Sequence, residues 1–162
     1  MPISTGDKLP EATLLHIGAE GPEQISLAEK TAGRKVVIFA LPGAFTGTCS
    51  EQHVPSFIRT REALGGKGVD EVMCISVNDP FVMSAWSKAT GAGEGGVTML
   101  ADADGAFTAA MGMGFDAPPV GFKGRSKRYS MVVEDGTVTV MHAEENPGVC
   151  ETSSGEAILE AI

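Results

Sequence analysis

The chain is poor in cysteine and in aromatic residues: 162 positions hold three Cys, one Trp, one Tyr and seven Phe. Cys49, Cys74 and Cys150 are an odd number and include no C-x-x-C pair. That excludes the even-numbered disulfide framework of small secreted domains and fits a reducing compartment. A structural zinc site wants four closely spaced Cys or His ligands. Here His16, His53 and His142 are scattered, and only Cys49 and His53 share the i, i+4 spacing of a helix, so no metal is expected. No stretch approaches the roughly 18–20 apolar residues of a membrane span. Residues 1–7 carry no basic segment followed by an apolar run, so no signal peptide is expected. Positive charge is scarce too: 12 basic residues stand against 21 acidic ones, a net charge of −9. Nucleic acid and anionic membrane surfaces call for a basic face, and that sign argues against both as partners. The expectation is a soluble, acidic, cytoplasmic protein with one domain over residues 1–162.

With 43% hydrophobic residues, a packed core is within reach. Residues 35–41 form a short β-branched run that ends at Pro42-Gly43, the pattern of a buried strand. Residues 48–64 read as a helix with Val54, Phe57, Ile58 and Leu64 near one face, kinked at Pro55, which removes one hydrogen bond. Glycines at 65, 66 and 68 stop it. Residues 71–77 give a second strand, and Asn78-Asp79-Pro80 turns and caps the chain into a helix through Trp86. A third strand is expected at 97–101 and a short helix at 106–111. Then the pattern changes: strand 128–134, a turn at Asp135-Gly136, and its partner strand 137–141 form a hairpin. Residues 154–162 close as a helix, with Ser154 placed to cap it. Parallel crossovers followed by an antiparallel hairpin imply an α/β fold, a mixed sheet with helices on both faces.

The segment Pro42-Gly43-Ala44-Phe45-Thr46-Gly47-Thr48-Cys49 leaves the C-terminal end of a buried strand and enters a helix, where open α/β sheets place their ligand crevices. A thiol in that first turn faces unpaired backbone N–H groups and the positive end of the helix dipole, and both favour thiolate over thiol. Pro42 can hold the turn rigid and keep water off one side of the sulfur. Thr46 can aim a hydroxyl, donor and acceptor at once, near it. The plain alternative is a buried cysteine packed as a small hydrophobe.

The spacing Pro42-x-x-x-Thr46-x-x-Cys49 resembles the peroxiredoxin active-site motif, and the run through Ser50 looks like the type II, peroxiredoxin-5-like branch. Two further blocks resemble that family in order and spacing. One is residues 74–83 with Trp86; the other is residues 127–136, which contain the arginine of the family's site, Arg128. The likeness covers nearly the whole chain. It implies a thioredoxin-like fold and a thiol peroxidase that needs no metal, haem or flavin. Thr46 stands where thioredoxin carries the first cysteine of C-x-x-C, which disfavours a dithiol–disulfide oxidoreductase.

The chemistry implied is attack of the Cys49 thiolate on one peroxide oxygen, leaving a sulfenic acid. A low thiol pKa populates the thiolate but weakens it as a nucleophile, so the site must also stabilise charge on the leaving oxygen. The resemblance gives that task to Arg128, with Thr46 orienting the peroxide. Other readings stay open. Arg128 could be a solvated member of the basic group Lys123, Arg125, Lys127 and Arg128. His53 could pack, lie on a helix surface, or serve a Cys49–His53 hydrolase. The whole domain could be a redox sensor or partner-binding module whose Cys49 oxidises slowly.

Cys74 shares one side of its strand with Val72 and Ser76, and a bond from Cys49 to it calls for local unwinding. Cys150 lies in an Asn146-Pro147-Gly148 loop. Some relatives carry a resolving cysteine near the C-terminus, where this chain has Ser153-Ser154. The expected reductant is therefore an outside thiol: glutathione, glutaredoxin or thioredoxin. The resemblance also implies a homodimer, with Phe45 and Phe81 as candidate contacts.

Overall fold

The computed structural model describes residues 2–162. Its centre is a run of hydrophobic sequence. Val36, Val37, Ile38, Phe39, Ala40 and Leu41 are all buried, and full burial of each larger side chain contributes about 1.5–3 kcal/mol. A strand covered on both faces needs no polar alternation, so the segment reads as a continuous apolar stretch. It forms β3 (Lys35–Ala40). On one side β3 pairs in parallel with β4 (Glu71–Ser76), and β4 with β5 (Val97–Ala101); on the other it pairs antiparallel with β8 (Tyr129–Glu134). β9 (Thr137–Ala143) completes that hairpin through Asp135 and Gly136, both at positive φ, as a two-residue turn between twisted strands requires.

The amino-terminal part adds a hairpin that the hydrophobic pattern does not reveal. β1 (Thr13–Gly18) and β2 (Gly21–Ser26) pair with each other, and β1 docks on β5. The sheet therefore has seven strands in the order β2-β1-β5-β4-β3-β8-β9. A separate two-stranded sheet, β6 (Gly114–Ala117) with β7 (Phe122–Ser126), is likewise absent from the sequence expectation.

Strand alternation divides the interior in two. Val37, Phe39, Val72, Cys74 and Val132 face a cluster shared with α2 (Val54–Gly66), α3 (Pro80–Thr90) and α5 (Gly155–Glu160). Val36, Ile38, Met73, Ile75 and Met131 face the other, shared with α1 (Leu27–Thr31) and α4 (Ala106–Ala110). The expected mixed sheet with helices on both faces is what forms. Asp79 and Ser154 are the caps of α3 and α5, accepting from the amides of Val82 and Ala157.

One element differs from expectation. Residues 48–64 are not a single helix kinked at Pro55. A wide π turn, Cys49–His53, comes first, with the Val54 amide reaching back five residues to the Cys49 carbonyl. α2 then begins at Val54, so Pro55 occupies a first-turn position. His53 and Val54 are themselves helical, so the π turn runs into α2 without a break, and its extra residue makes room just where Pro55 has no N–H to give.

Candidate active site

Two strand ends assemble the site. After β3 the chain turns at Pro42 and re-enters helix at Gly47. The turn is pinned to the end of β4: the Ala44 amide donates to Asn78 Oδ1 at 3.0 Å, and the Ser76 hydroxyl donates to the same oxygen at 2.6 Å. Phe45 within it takes a left-handed φ of 61°. Thr46 closes it twice, its hydroxyl donating to the Gly43 carbonyl (2.7 Å) and its carbonyl accepting from the Ser50 amide (3.0 Å). Cys49 follows, 1% exposed.

The antiparallel register sets Tyr129 opposite Ala40, so the start of β8 lies beside the end of β3. Val132 faces the α2 side of the sheet, and period-two alternation puts Ser130 and Arg128 on that same side. Arg128 thereby reaches the face that carries Cys49. It is 1% exposed, not a solvated member of a basic group.

The guanidinium is held at three points. Nε donates to the Pro147 carbonyl at 2.9 Å, Nη1 meets His53 Nδ1 at 2.9 Å, and Nη2 donates to Cys49 Sγ at 3.1 Å. Of the five N–H groups of an arginine, two have no partner among the described residues. Because Nη1 can only donate, His53 Nδ1 must accept, and the imidazole proton sits on Nε2. From there it points to the Ser153 carbonyl (3.0 Å) and Ser130 Oγ (3.1 Å). Burial, reinforced by the neighbouring Arg128 cation, holds the His53 pKa well below its ordinary value, so the ring stays neutral. A neutral acceptor orients the arginine without cancelling its charge.

The segment between β9 and α5 completes the enclosure. Besides the Pro147 carbonyl, it offers the Gly148 carbonyl, which accepts from the Thr48 hydroxyl at 2.8 Å. Glu144 braces this segment, accepting from the Ser153 amide and hydroxyl and from the Glu151 amide. Burial alone would raise the Glu144 carboxyl; those donors and Arg128 bring it below the usual range. Pro42, Thr46, Gly47, Thr48, Arg128 and Pro147 line an open cleft of about 620 Å3, together with apolar residues of the β6–β7 hairpin.

The four residues of the sequence motif thus meet in one place. Pro42 and Thr46 line the cleft, Cys49 lies within reach of Arg128, and Arg128 opens onto the cleft itself. The two other cysteines do not join them as hydrogen-bond partners. Cys74 is fully buried, and burial, with the nearby Cys49 charge second, pushes its thiol well above the ordinary value. Cys150 is half-buried, 4.0 Å from the Ser153 hydroxyl, and burial raises its thiol too. All three are unpaired. The contribution of His53 is what residue-by-residue reading missed. Its spacing from Cys49 was the signal, but the partner proved to be Arg128, 75 positions away. With both ring nitrogens engaged elsewhere, His53 is not a general base for Cys49.

The redoxin family model matches residues 4–159. Peroxiredoxin-2E-2, a chloroplastic protein of Oryza sativa subsp. japonica, is 46% identical over 99% of this chain and 72% of its own length. Among solved structures, reduced Prx3 from Vibrio vulnificus in complex with H2O2 superposes with a TM-score of 0.91 at 46% identity, covering 98% of both chains. Peroxiredoxin 5 from Alvinella pompejana gives 0.86 at 30% identity, over 99% of this chain and 97% of that one. The thiol beneath the cleft, the arginine that holds it and these likenesses agree: the chain belongs to the redoxin family and, within it, to the type II peroxiredoxins, which are thiol-dependent peroxidases.

Proposed function

We propose that Cys49 reduces hydrogen peroxide and organic hydroperoxides, and that an outside thiol restores it. The observation that carries this reading is the Arg128 Nη2–Cys49 Sγ contact of 3.1 Å, made by a guanidinium fixed at its other two corners. The thiolate attacks one peroxide oxygen. An S–O bond forms, the O–O bond breaks, and its electron pair moves to the leaving oxygen, which takes up a proton and departs as water or an alcohol. Cys49 is left as a sulfenic acid. The free N–H groups of Arg128 face charge that develops on the leaving oxygen, and they need no reorganisation to do so. The Thr46 hydroxyl, its proton committed to the Gly43 carbonyl, offers its oxygen to the peroxide O–H. Pro42 walls the cleft. A reducing thiol then displaces hydroxide from the sulfenic sulfur, water forms, and a second thiol frees Cys49 from the mixed disulfide.

Glutathione, glutaredoxin or thioredoxin would serve as that thiol, and three unpaired cysteines fit the cytoplasm as the place of work. A homodimer would use Phe45 and Phe81, which remain 58% and 65% exposed. Sedimentation at micromolar concentration under reducing conditions tests that assembly, and a monomer alone would count against it. The function is tested by peroxide consumption with dithiothreitol for wild type and Cys49→Ser. Activity should vanish in the variant; equal rates would overturn the assignment.

A further inference from the structure

One wall of the cleft has no part in the chemistry above. β6 and β7 stand apart from the main sheet, joined by a short turn, Pro118–Val120. Phe115, Ala117, Val120 and Phe122 from this hairpin line the cleft beside Thr46 and Arg128. The Phe115 and Phe122 rings meet edge to face with centroids 6.2 Å apart. Val120 is 65% exposed, an apolar side chain left at the mouth of a reactive site.

Arg125 ties this wall to the catalytic turn. Its guanidinium carbon lies 5.2 Å from the centre of the Phe122 ring, and its Nη1 donates to the Pro42 carbonyl at 3.0 Å. Among the described residues, no other side-chain hydrogen bond joins the hairpin to that turn. Gly43 shows how close the approach is: a Cβ there would collide with Arg125 Nη1. Gly43 has no positive φ, so the position calls for glycine to make room for the arginine, not for backbone freedom.

Building on the peroxidase reading, we propose that Arg125 is a positioning residue for substrate selection. It locks the β6–β7 wall against the Pro42 turn, and that wall receives the apolar group of an organic hydroperoxide while Thr46 and Arg128 hold the O–O bond. Hydrogen peroxide has no apolar group to place there, so the lock matters little to it. Glutathione, with two carboxylates and an ammonium, finds no unpaired partner on Phe115, Ala117, Val120 or Phe122.

Single-turnover mixing of the reduced protein with cumene hydroperoxide or hydrogen peroxide tests this. Trp86 is the only tryptophan and its Nε1 donates to Ser50 Oγ at 2.9 Å, beside Cys49, so its fluorescence can follow Cys49 oxidation. In Arg125→Met the ratio of the cumene to the hydrogen peroxide rate constant should fall about tenfold, the scale on which apolar pockets discriminate. Arg125→Lys, which keeps a donor for Pro42, should recover part of that ratio. Val120→Asp should lower it without touching Arg125. Iodoacetamide alkylation of Cys49 should stay within about threefold throughout, as a collapsed site would not allow. Equal loss of both peroxide rates in Arg125→Met would overturn the selection role, and so would an unchanged ratio in Arg125→Met and Val120→Asp. So would a defect confined to recycling by glutathione. If wild type itself reduced neither peroxide faster than free cysteine, the peroxidase reading would fail instead.

Discussion

Cys49 and Cys74 belong to the same apolar cluster and are hidden alike, 1% and 0% exposed. Their surroundings differ in one respect. Cys49 begins a π turn with an arginine nitrogen 3.1 Å from its sulfur. Cys74 lies inside β4, between Phe39 and Met99 on the flanking strands, and among the described residues no hydrogen bond reaches its sulfur. At Cys49 a fixed cation faces the sulfur; Cys74 has none in contact, and burial, which penalises a thiolate, dominates there. The two sites also interact, since charge on Cys49 further disfavours charge on Cys74. Reactivity in this fold follows from what faces the sulfur, not from how accessible the sulfur is.

The sharpest way to break that contrast is to remove the cation. In Arg128→Met, the rate constant for peroxide should fall about 10²–10³-fold, the usual cost of losing a preorganised donor. Alkylation by iodoacetamide, which develops no charge on a leaving peroxide oxygen, should fall far less. Arg128→Lys should not restore the rate. One ammonium cannot meet His53, Pro147 and Cys49 at once, whereas a planar guanidinium does. A peroxide rate within threefold of wild type in Arg128→Met would mean that the contact is structural.

A smaller effect is expected one layer out. His53→Leu leaves the Arg128 Nη1 without its acceptor, and displacement of a catalytic group on that scale costs about tenfold or more. His53→Asn, which can still accept, should keep more of the rate. His53 should also leave a mark on stability. Its folded pKa lies well below the ordinary value of an unfolded histidine. Between those two values the unfolded chain binds a proton that the folded chain does not, so stability is complete above about pH 6.5 and declines as pH falls, by at most about 1.4 kcal/mol per pH unit for this group. Urea midpoints at pH 7 and pH 5 should therefore draw together in His53→Asn relative to wild type. An identical acid slope in both proteins would contradict a neutral buried His53.

What could be read in advance follows the same division. β3, β4, β5 and the β8–β9 hairpin were legible because their apolar runs are dense and their turns carry Pro42-Gly43, Asn78-Asp79 and Asp135-Gly136. β2 was not: Gly21–Ser26 presents three exposed residues in a row, and only its pairing with β1 makes it a strand. β7, Phe122–Ser126, is part of a charged stretch with no alternation. The residues of the motif were legible, but the partnership of His53 with Arg128 depends on the β3–β8 register and spans 75 positions, beyond any local pattern. The π turn is similar, since it reconciles Pro55 with a helix that also has to present Cys49.

The last test turns on Cys74 and Cys150 as resolving thiols, and it sharpens the comparison of the two buried sulfurs. A resolving cysteine attacks as thiolate, yet burial holds both thiols above their ordinary range. The double variant Cys74→Ser/Cys150→Ser should therefore retain most of its glutathione- or glutaredoxin-supported turnover, within about twofold of wild type when a step that is not rate-limiting is removed. Serine at 74 places an unpartnered hydroxyl in the apolar cluster and should cost about 1–3 kcal/mol of stability, so rates are compared at equal folded fraction. The same substitution should flatten the alkaline side of the stability curve. Cys74 has a raised folded pKa, so its contribution is complete below about pH 8.5 and is lost as pH rises and the unfolded thiol ionises. Tyr129, also raised by burial, acts in the same direction at higher pH and remains in the variant. Peptide mapping after one equivalent of peroxide supplies the opposing outcome. If a Cys49–Cys74 or Cys49–Cys150 disulfide formed stoichiometrically, before added glutathione could intercept the sulfenic acid, the turn at Cys49 must open far enough to bring Cα atoms within about 7 Å. Resolution would then be intramolecular, and the buried thiol would be held in reserve for the oxidised state.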